Sequence, residues 1–173
     1  MAFLQLEYKS QALMRGVSVK VILPSDGMAG NWEPPYRTLY MLPGYSATAT
    51  ELITYLDFRG QSELKGIAIV LPDGENLFYQ DMPDRMTFYS TYVGKELVEV
   101  TRKLLPLSDK REDTFIGGIS MGGYGALYNG MKFRDTFSKV IAFSPAADAY
   151  MLLAEADAPG FSKEQFCGIF GNK

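Results

Sequence analysis

The residues best suited to chemistry lie in Thr114-Phe-Ile-Gly-Gly-Ile-Ser-Met-Gly-Gly-Tyr-Gly-Ala-Leu127. A short apolar run leads into Gly118-Ile-Ser120-Met-Gly122, a G-x-S-x-G pattern, and a stretch of small residues comes after it. Such a pattern sets a serine on a sharp strand-to-helix turn, in strained backbone. The glycines have a steric purpose. Side chains at Gly118 and Gly122 would collide where the helix passes the strand, and Gly123, Gly125 and Ala126 keep the helix face thin. The hydroxyl of Ser120 is then held clear at the carboxyl edge of a sheet, where open α/β sheets bind ligands. The amide of Met121, at the helix N-terminus, points where an oxyanion would develop, and the helix dipole has the right sign. The chemistry this predicts is nucleophilic acyl transfer. The competing explanation is a tight strand-turn-helix with glycines for packing and an idle serine.

One expected partner is missing. The chain contains no histidine, so the base that normally activates such a serine is not among these residues. With no histidine and one cysteine, a zinc site is nearly excluded. Gly130-Met-Lys132 does not complete a phosphate-binding loop, and no G-x-G-x-x-G opens a helix after the first parallel strand. No cofactor is therefore expected. Asp81 and Asp84 could contribute to an all-oxygen metal site, although acidic loop residues are far more often solvated charges.

A serine so placed needs a parallel sheet behind it, and the chain alternates strands and helices accordingly. Alternating or β-branched apolar residues over 3–9 and 17–23, separated by a turn around Arg15-Gly16, predict an antiparallel opening pair. Turn residues make 24–35 a loop. Segments 37–42 and 66–71 read as buried strands, the first ended by Pro43-Gly44. A helix is predicted over 50–64, capped by Thr48 or Thr50 with Glu51 in its first turn, and 72–86 is a long polar and aromatic loop. From Thr91, the residues Val93, Leu97, Val100 and Leu104 recur at helical spacing up to Pro106. Strand 114–119, helix 121–132 and strand 139–143 come next, with short helices at 148–154 and 162–170. The sum is one α/β domain over residues 1–173 with a mostly parallel sheet.

Composition narrows the function classes. The 173 residues are 47% hydrophobic and include 11 Tyr and 11 Phe, enough for one substantial core. The net charge of −3 argues against nucleic acid, which needs a concentrated basic face. No apolar stretch approaches membrane-spanning length and no secretory signal pattern opens the chain. Cys167 alone cannot form an internal disulfide, which suits a reducing compartment, so a soluble cytoplasmic protein is expected.

Counting strands sharpens the picture. The serine comes after the fifth, and the third ends at Pro43-Gly44-Tyr45, the two placements of nucleophile and second oxyanion donor in an α/β-hydrolase. The chain resembles the esterase family that includes esterase D (S-formylglutathione hydrolase) and bacterial tributyrin esterases. The resemblance is carried by Leu39-Tyr-Met-Leu-Pro-Gly-Tyr45, Leu71-Pro-Asp-Gly-Glu-Asn-Leu-Phe-Tyr79, Gly117-Gly-Ile-Ser-Met-Gly-Gly-Tyr-Gly-Ala-Leu127 and Phe143-Ser-Pro-Ala146. It implies an α/β-hydrolase fold with helices on both faces of the sheet. It further implies Ser120 as nucleophile, and the backbone amides of Met121 and Tyr45 as the oxyanion hole. Gly44, Asn76 and Tyr79 would line the substrate side; for Asn76 to Tyr79, packing as a lid or core is the alternative. The substrate would be a short-chain carboxylic ester or thioester.

Two departures accompany the resemblance. Family members usually read His-Gly where this chain reads Pro43-Gly44. The family's triad acid and histidine come after strands beyond the sixth, so the expectation is that the C-terminal third, with the last strands, is missing. Asp148 stands where some other hydrolases put their acid, though a helix N-cap is its commoner explanation. Strand 139–143 would then be a bare apolar edge, open to homo-oligomer formation. A non-catalytic hydrolase-like binding protein and an acyltransferase on the same scaffold are the alternatives to a hydrolase.

Overall fold

The computed structural model describes residues 1–26, 30–148 and 162–170. The hairpin comes first. In β1 (Ala2–Ser10) every second side chain turns outward, and β1 pairs antiparallel with β2 (Arg15–Leu23) from Ala2↔Leu23 to Ser10↔Arg15. Both strands run farther than their apolar cores predict. The next strands, β3 (Arg37–Leu42) and β4 (Ile67–Pro72), are nearly continuous apolar runs and pair in parallel. After a two-residue ribbon, β5 (Asp81–Met82) with β6 (Thr87–Phe88), come β7 (Thr114–Ile119) and β8 (Lys139–Phe143). The main sheet has the order β1-β2-β4-β3-β7-β8, with β4, β3, β7 and β8 mutually parallel. This puts β3 and β7 side by side, with Leu42 opposite Gly118. The loops leaving their carboxyl ends are therefore neighbours.

Helices cover both faces. On one, α1 (Ala49–Tyr55) buries Ala49 and Leu52 against Ile22, Met41, Ile69 and Leu71. On the other, the larger core gathers Val19, Val21, Tyr40, Val70 and Ile116 under Tyr92, Val93, Leu97, Met121 and Ala126. The covering side chains come from the helical stretch after Tyr89 and from α5 (Met121–Lys132), as expected from the sequence.

Two helices differ from expectation. The segment after Thr48 breaks into α1 and α2 (Phe58–Lys65), because Leu56 turns to extended backbone and Asp57 caps a new start by accepting from the Gly60 amide. Gly60 makes room for that cap: a Cβ there would overlap the Asp57 carboxylate. The later helix opens at α3 (Tyr89–Thr91), widens to a π turn over Tyr92–Glu96 and continues as α4 (Leu97–Leu104). The extra residue of a π turn rotates the remainder of the helix about its axis. The inward stripe accordingly passes through Val98 and Thr101 and leaves Leu104 exposed. The expected helix at 148–154 lies outside the described residues apart from Asp148, which is exposed. The final described helix, α6 (Lys163–Phe170), agrees with the sequence.

At the far edge, β8 pairs only with β7 among the described strands. It exposes Val140 by 39%, Ile141 by 40% and Phe143 by 56%, the apolar edge that the sequence predicts.

Candidate active site

Ser120 joins β7 to α5 with φ 55° and ψ −116°, a region a side chain enters only against steric resistance. The surrounding backbone imposes it. The Ser120 amide donates to the Phe143 carbonyl at 2.9 Å, and the Ser120 carbonyl accepts from the amides of Tyr124 and Ala146, each at 3.0 Å. The end of β8 thus clamps both sides of the serine. The glycines behave as the steric argument requires. A Cβ on Gly118 would overlap the Gly122 carbonyl, and one on Gly122 would lie 2.5 Å from the Pro43 oxygen and closer still to that of Leu42. At Gly123 it would come within 3.0 Å of Pro145 Cα. Met121 opens α5, so its amide belongs to the first turn, whose donors have no acceptor inside the helix.

The loop after β3 arrives beside this turn. A Cβ on Gly44 would lie 3.6 Å from Ser120 Cβ and 3.4 Å from the Ile119 carbonyl. Tyr45 is the next residue. The loop is tied down from the segment after β4. Asn76 accepts from the Ser46 amide through Oδ1 at 2.7 Å and donates through Nδ2 to Ser46 Oγ at 3.2 Å. Asp73 accepts from the Ala49 amide at 2.8 Å, and Thr48 with Glu51 closes a capping box on α1. Asn76 itself is exposed.

Tyr79 stands elsewhere than on an open wall. Its exposure is 0%, and its hydroxyl donates to the Pro43 carbonyl at 2.7 Å. Burial pushes its pKa well above the ordinary tyrosine value, so it remains a neutral donor. The expectation that Tyr79 lines the substrate side gives way to the core alternative: it supports the loop from behind.

Sequence reasoning missed an aromatic cluster on the same side of the molecule. Phe78 packs edge-on to Tyr124 at 5.6 Å and to Phe170 at 5.1 Å, with Tyr45 tilted at 6.4 Å and Tyr124 against Phe170 at 5.7 Å. Tyr124 could have been found from spacing alone, since it stands one helical turn after Ser120. Phe170 could not, because α6 reaches the cluster from far along the chain.

The remaining candidates separate from this centre. The Asp81 carboxylate is taken up by the Thr91 amide and hydroxyl at 2.9 and 3.0 Å and by Lys132 Nζ at 2.9 Å. Burial alone would raise its pKa, but those bonds and the lysine charge outweigh it and hold it below the usual carboxylate value. Asp84 is exposed, and among the described residues no group of three or more metal-type ligands forms. Asp148 lies two residues past Ala146, and Cys167 is half-buried on α6. Among the described residues no helix is long and apolar enough to cross a membrane.

The family described as Putative esterase matches residues 10–163. The chain belongs to this esterase family. Within it, the chain is 37% identical over 151 residues to an acetyl esterase of Caldicellulosiruptor saccharolyticus, covering 84% of this chain and 57% of that protein. It is 29% identical over 189 aligned positions to an S-formylglutathione hydrolase of Paracoccus denitrificans, covering 95% and 62%. A fluorophosphonate-binding serine hydrolase of Staphylococcus aureus, solved with substrate bound, superposes with a TM-score of 0.84 at 29% identity, covering 99% of this chain and 66% of that one. The fold is accordingly that of the α/β-hydrolase esterases. The chain spans about 60% of the length of the two relatives.

Proposed function

We propose that these residues carry the nucleophile half of a serine carboxylesterase acting on short-chain esters or thioesters. The single observation that carries the reading is the backbone of Ser120. It is strained, clamped on both sides, and set at the carboxyl end of a central strand beside Gly44. Strain of this kind costs on the order of 1–3 kcal/mol and persists where the surroundings enforce it, commonly at functional sites.

On this reading Ser120 Oγ attacks the carbonyl carbon. The carbonyl oxygen becomes an oxyanion facing the amides of Met121 and Tyr45, with the α5 N-terminus adding favourable potential. Collapse expels the alcohol or thiol and leaves an acyl-serine, which water then cleaves. Gly44 gives the carbonyl room to approach. Asn76 acts by fixing the loop that carries Tyr45. The relatives' names specify acetyl and formyl groups, which supports a small acyl group. The chain has no histidine, so on this reading the imidazole that moves the protons is supplied by sequence outside these 173 residues.

The test is hydrolysis of p-nitrophenyl acetate by the complete gene product and by its Ser120→Ala variant. The expected result is turnover that falls by at least about 10³-fold in the variant. Turnover indifferent to Ser120→Ala would overturn the assignment. Rapid fluorophosphonate labelling of Ser120 in the histidine-free chain would leave the nucleophile standing and overturn the claim that these residues lack its activating base.

A further inference from the structure

One buried side chain behind the loop after β3, Tyr79, is held on several sides yet takes no part in the chemistry. The Tyr79 ring passes between two glycines from different parts of the chain. A Cβ on Gly125, in α5, would stand 2.8 Å from Tyr79 Cγ, and one on Gly74 would stand 3.1 Å from Cζ and nearer still to the hydroxyl. Its own backbone is in the left-handed region, φ 56°, directly after Phe78 at φ 54°. Two consecutive residues of this kind are costly and call for an enforcing partner. That partner is Asn129, buried in α5, whose Nδ2 donates to the Tyr79 carbonyl at 3.2 Å. Asn129 Oδ1 in turn accepts from Ser90 Oγ at 2.7 Å, and Lys132 Nζ bonds both Ser90 Oγ and Asp81.

All of this ends on a single hydrogen bond, from the phenol to the Pro43 carbonyl. That carbonyl belongs to the peptide that enters Gly44, and the next peptide bears the Tyr45 amide. On its other side the Pro43 oxygen faces Gly122, in the first turn of α5. The phenol is thus a spacer of fixed length. Its ring rests on α5, which carries Met121 directly after Ser120, and its oxygen holds the loop that carries Tyr45.

Resting on the esterase reading above, we infer that Tyr79 is a positioning residue: its buried hydroxyl fixes the Pro43–Gly44 peptide and so sets the distance between the two oxyanion donors. No substrate contact is involved. A hydroxyl that serves only packing would affect stability, whereas one that sets donor spacing affects the transition state more than substrate binding.

Tyr79→Phe in the complete gene product keeps the ring and removes the one bond. With p-nitrophenyl acetate, kcat is expected to fall about tenfold with KM within about twofold, less than the roughly 10²–10³ lost when an oxyanion donor is deleted outright. Amide hydrogen exchange at Gly44 to Ala47 is expected to quicken about tenfold while that of β4 and α4 is unchanged. Gly74→Ala, which displaces the phenol oxygen and leaves Tyr79 in the chain, is the second variant should Tyr79→Phe fold poorly, and the same pair of changes is expected. Wild-type kcat together with wild-type loop exchange would overturn the inference. A rise in KM at constant kcat would also overturn it, since that marks a substrate contact. A gene product whose turnover ignores Ser120→Ala fails the esterase reading instead, and the exchange rates of Gly44 to Ala47 then decide whether Tyr79 holds the loop.

Discussion

Gly122→Ala isolates the geometry on which the proposed oxyanion hole depends. The added methyl meets the Leu42 and Pro43 carbonyl oxygens, the second at 2.5 Å, where ordinary contact begins at 3.4 Å. Both obstacles are backbone, in a loop that Tyr79 and Asn76 tie in place, so no side chain can swing aside. The start of α5 and the loop must part by about 1 Å. That motion opens the gap between the Met121 and Tyr45 amides, and a misplacement of about 1 Å costs on the order of 100-fold in rate, or about 2.7 kcal/mol. Stability responds less. Overpacking costs about 1–3 kcal/mol, and alanine returns about 1 kcal/mol over glycine inside a helix. The melting temperature should therefore fall by no more than about 8 °C. The assay compares kcat/KM for p-nitrophenyl acetate and thermal melting in the complete gene product, with Gly16→Ala as control because nothing lies within 4 Å of a Cβ there. A Gly122→Ala protein within about threefold of wild-type kcat/KM would refute the reasoning.

Two further outcomes are expected. Ser120→Gly and Ser120→Ala should be equally inactive, yet the glycine variant should be the more stable by about 1 kcal/mol, because only it relieves φ 55°; a more stable alanine variant, read from denaturant melts, would deny the strain. At high pH the protein should unfold with its tyrosines. Burial pushes Tyr8, Tyr40 and Tyr89 up to about 12 from 10.0, with Tyr79 and Tyr92 raised as well. Their folded-state pKa values lie above the unfolded value, so their stabilising contribution is complete below pH 10 and is lost as pH rises toward 12. Tyrosinate absorbance from these residues should thus appear together with loss of circular dichroism; independent titration near pH 10 in a folded chain would contradict it.

The strand-to-helix turn at Ser120 was legible because its determinants are local. The glycines at 118 and 122 bracket the serine within five residues, and the flanking strand and helix are set by adjacent patterning. The number of strands before the serine came from counting apolar runs. The hidden features depend on contacts that periodicity does not encode. The Tyr79 hydroxyl finds its acceptor 36 residues away, and nothing in Phe-Tyr distinguishes a buried strut from a pocket wall. The split between α1 and α2 turned on Asp57 acting as a cap, a choice that a 3.6-residue pattern averages out. The π turn moved the buried stripe of α4 from Val100 to Val98 and Thr101, because spacing arguments assume an uninterrupted helix.

The clamp on Ser120 also bears on how the protein is made. Synthesis runs from the N-terminus, so Ser120 leaves the ribosome before Phe143 and Ala146, the residues whose main chain grips it. Until β8 pairs with β7, the main-chain bonds from Phe143 and Ala146 that help hold the unfavourable torsion are absent. On the proposed reading, the nascent chain carries its nucleophile disarmed until the strand that grips it has been made. Pairing of β8 with β7 and arming of the serine are then one event.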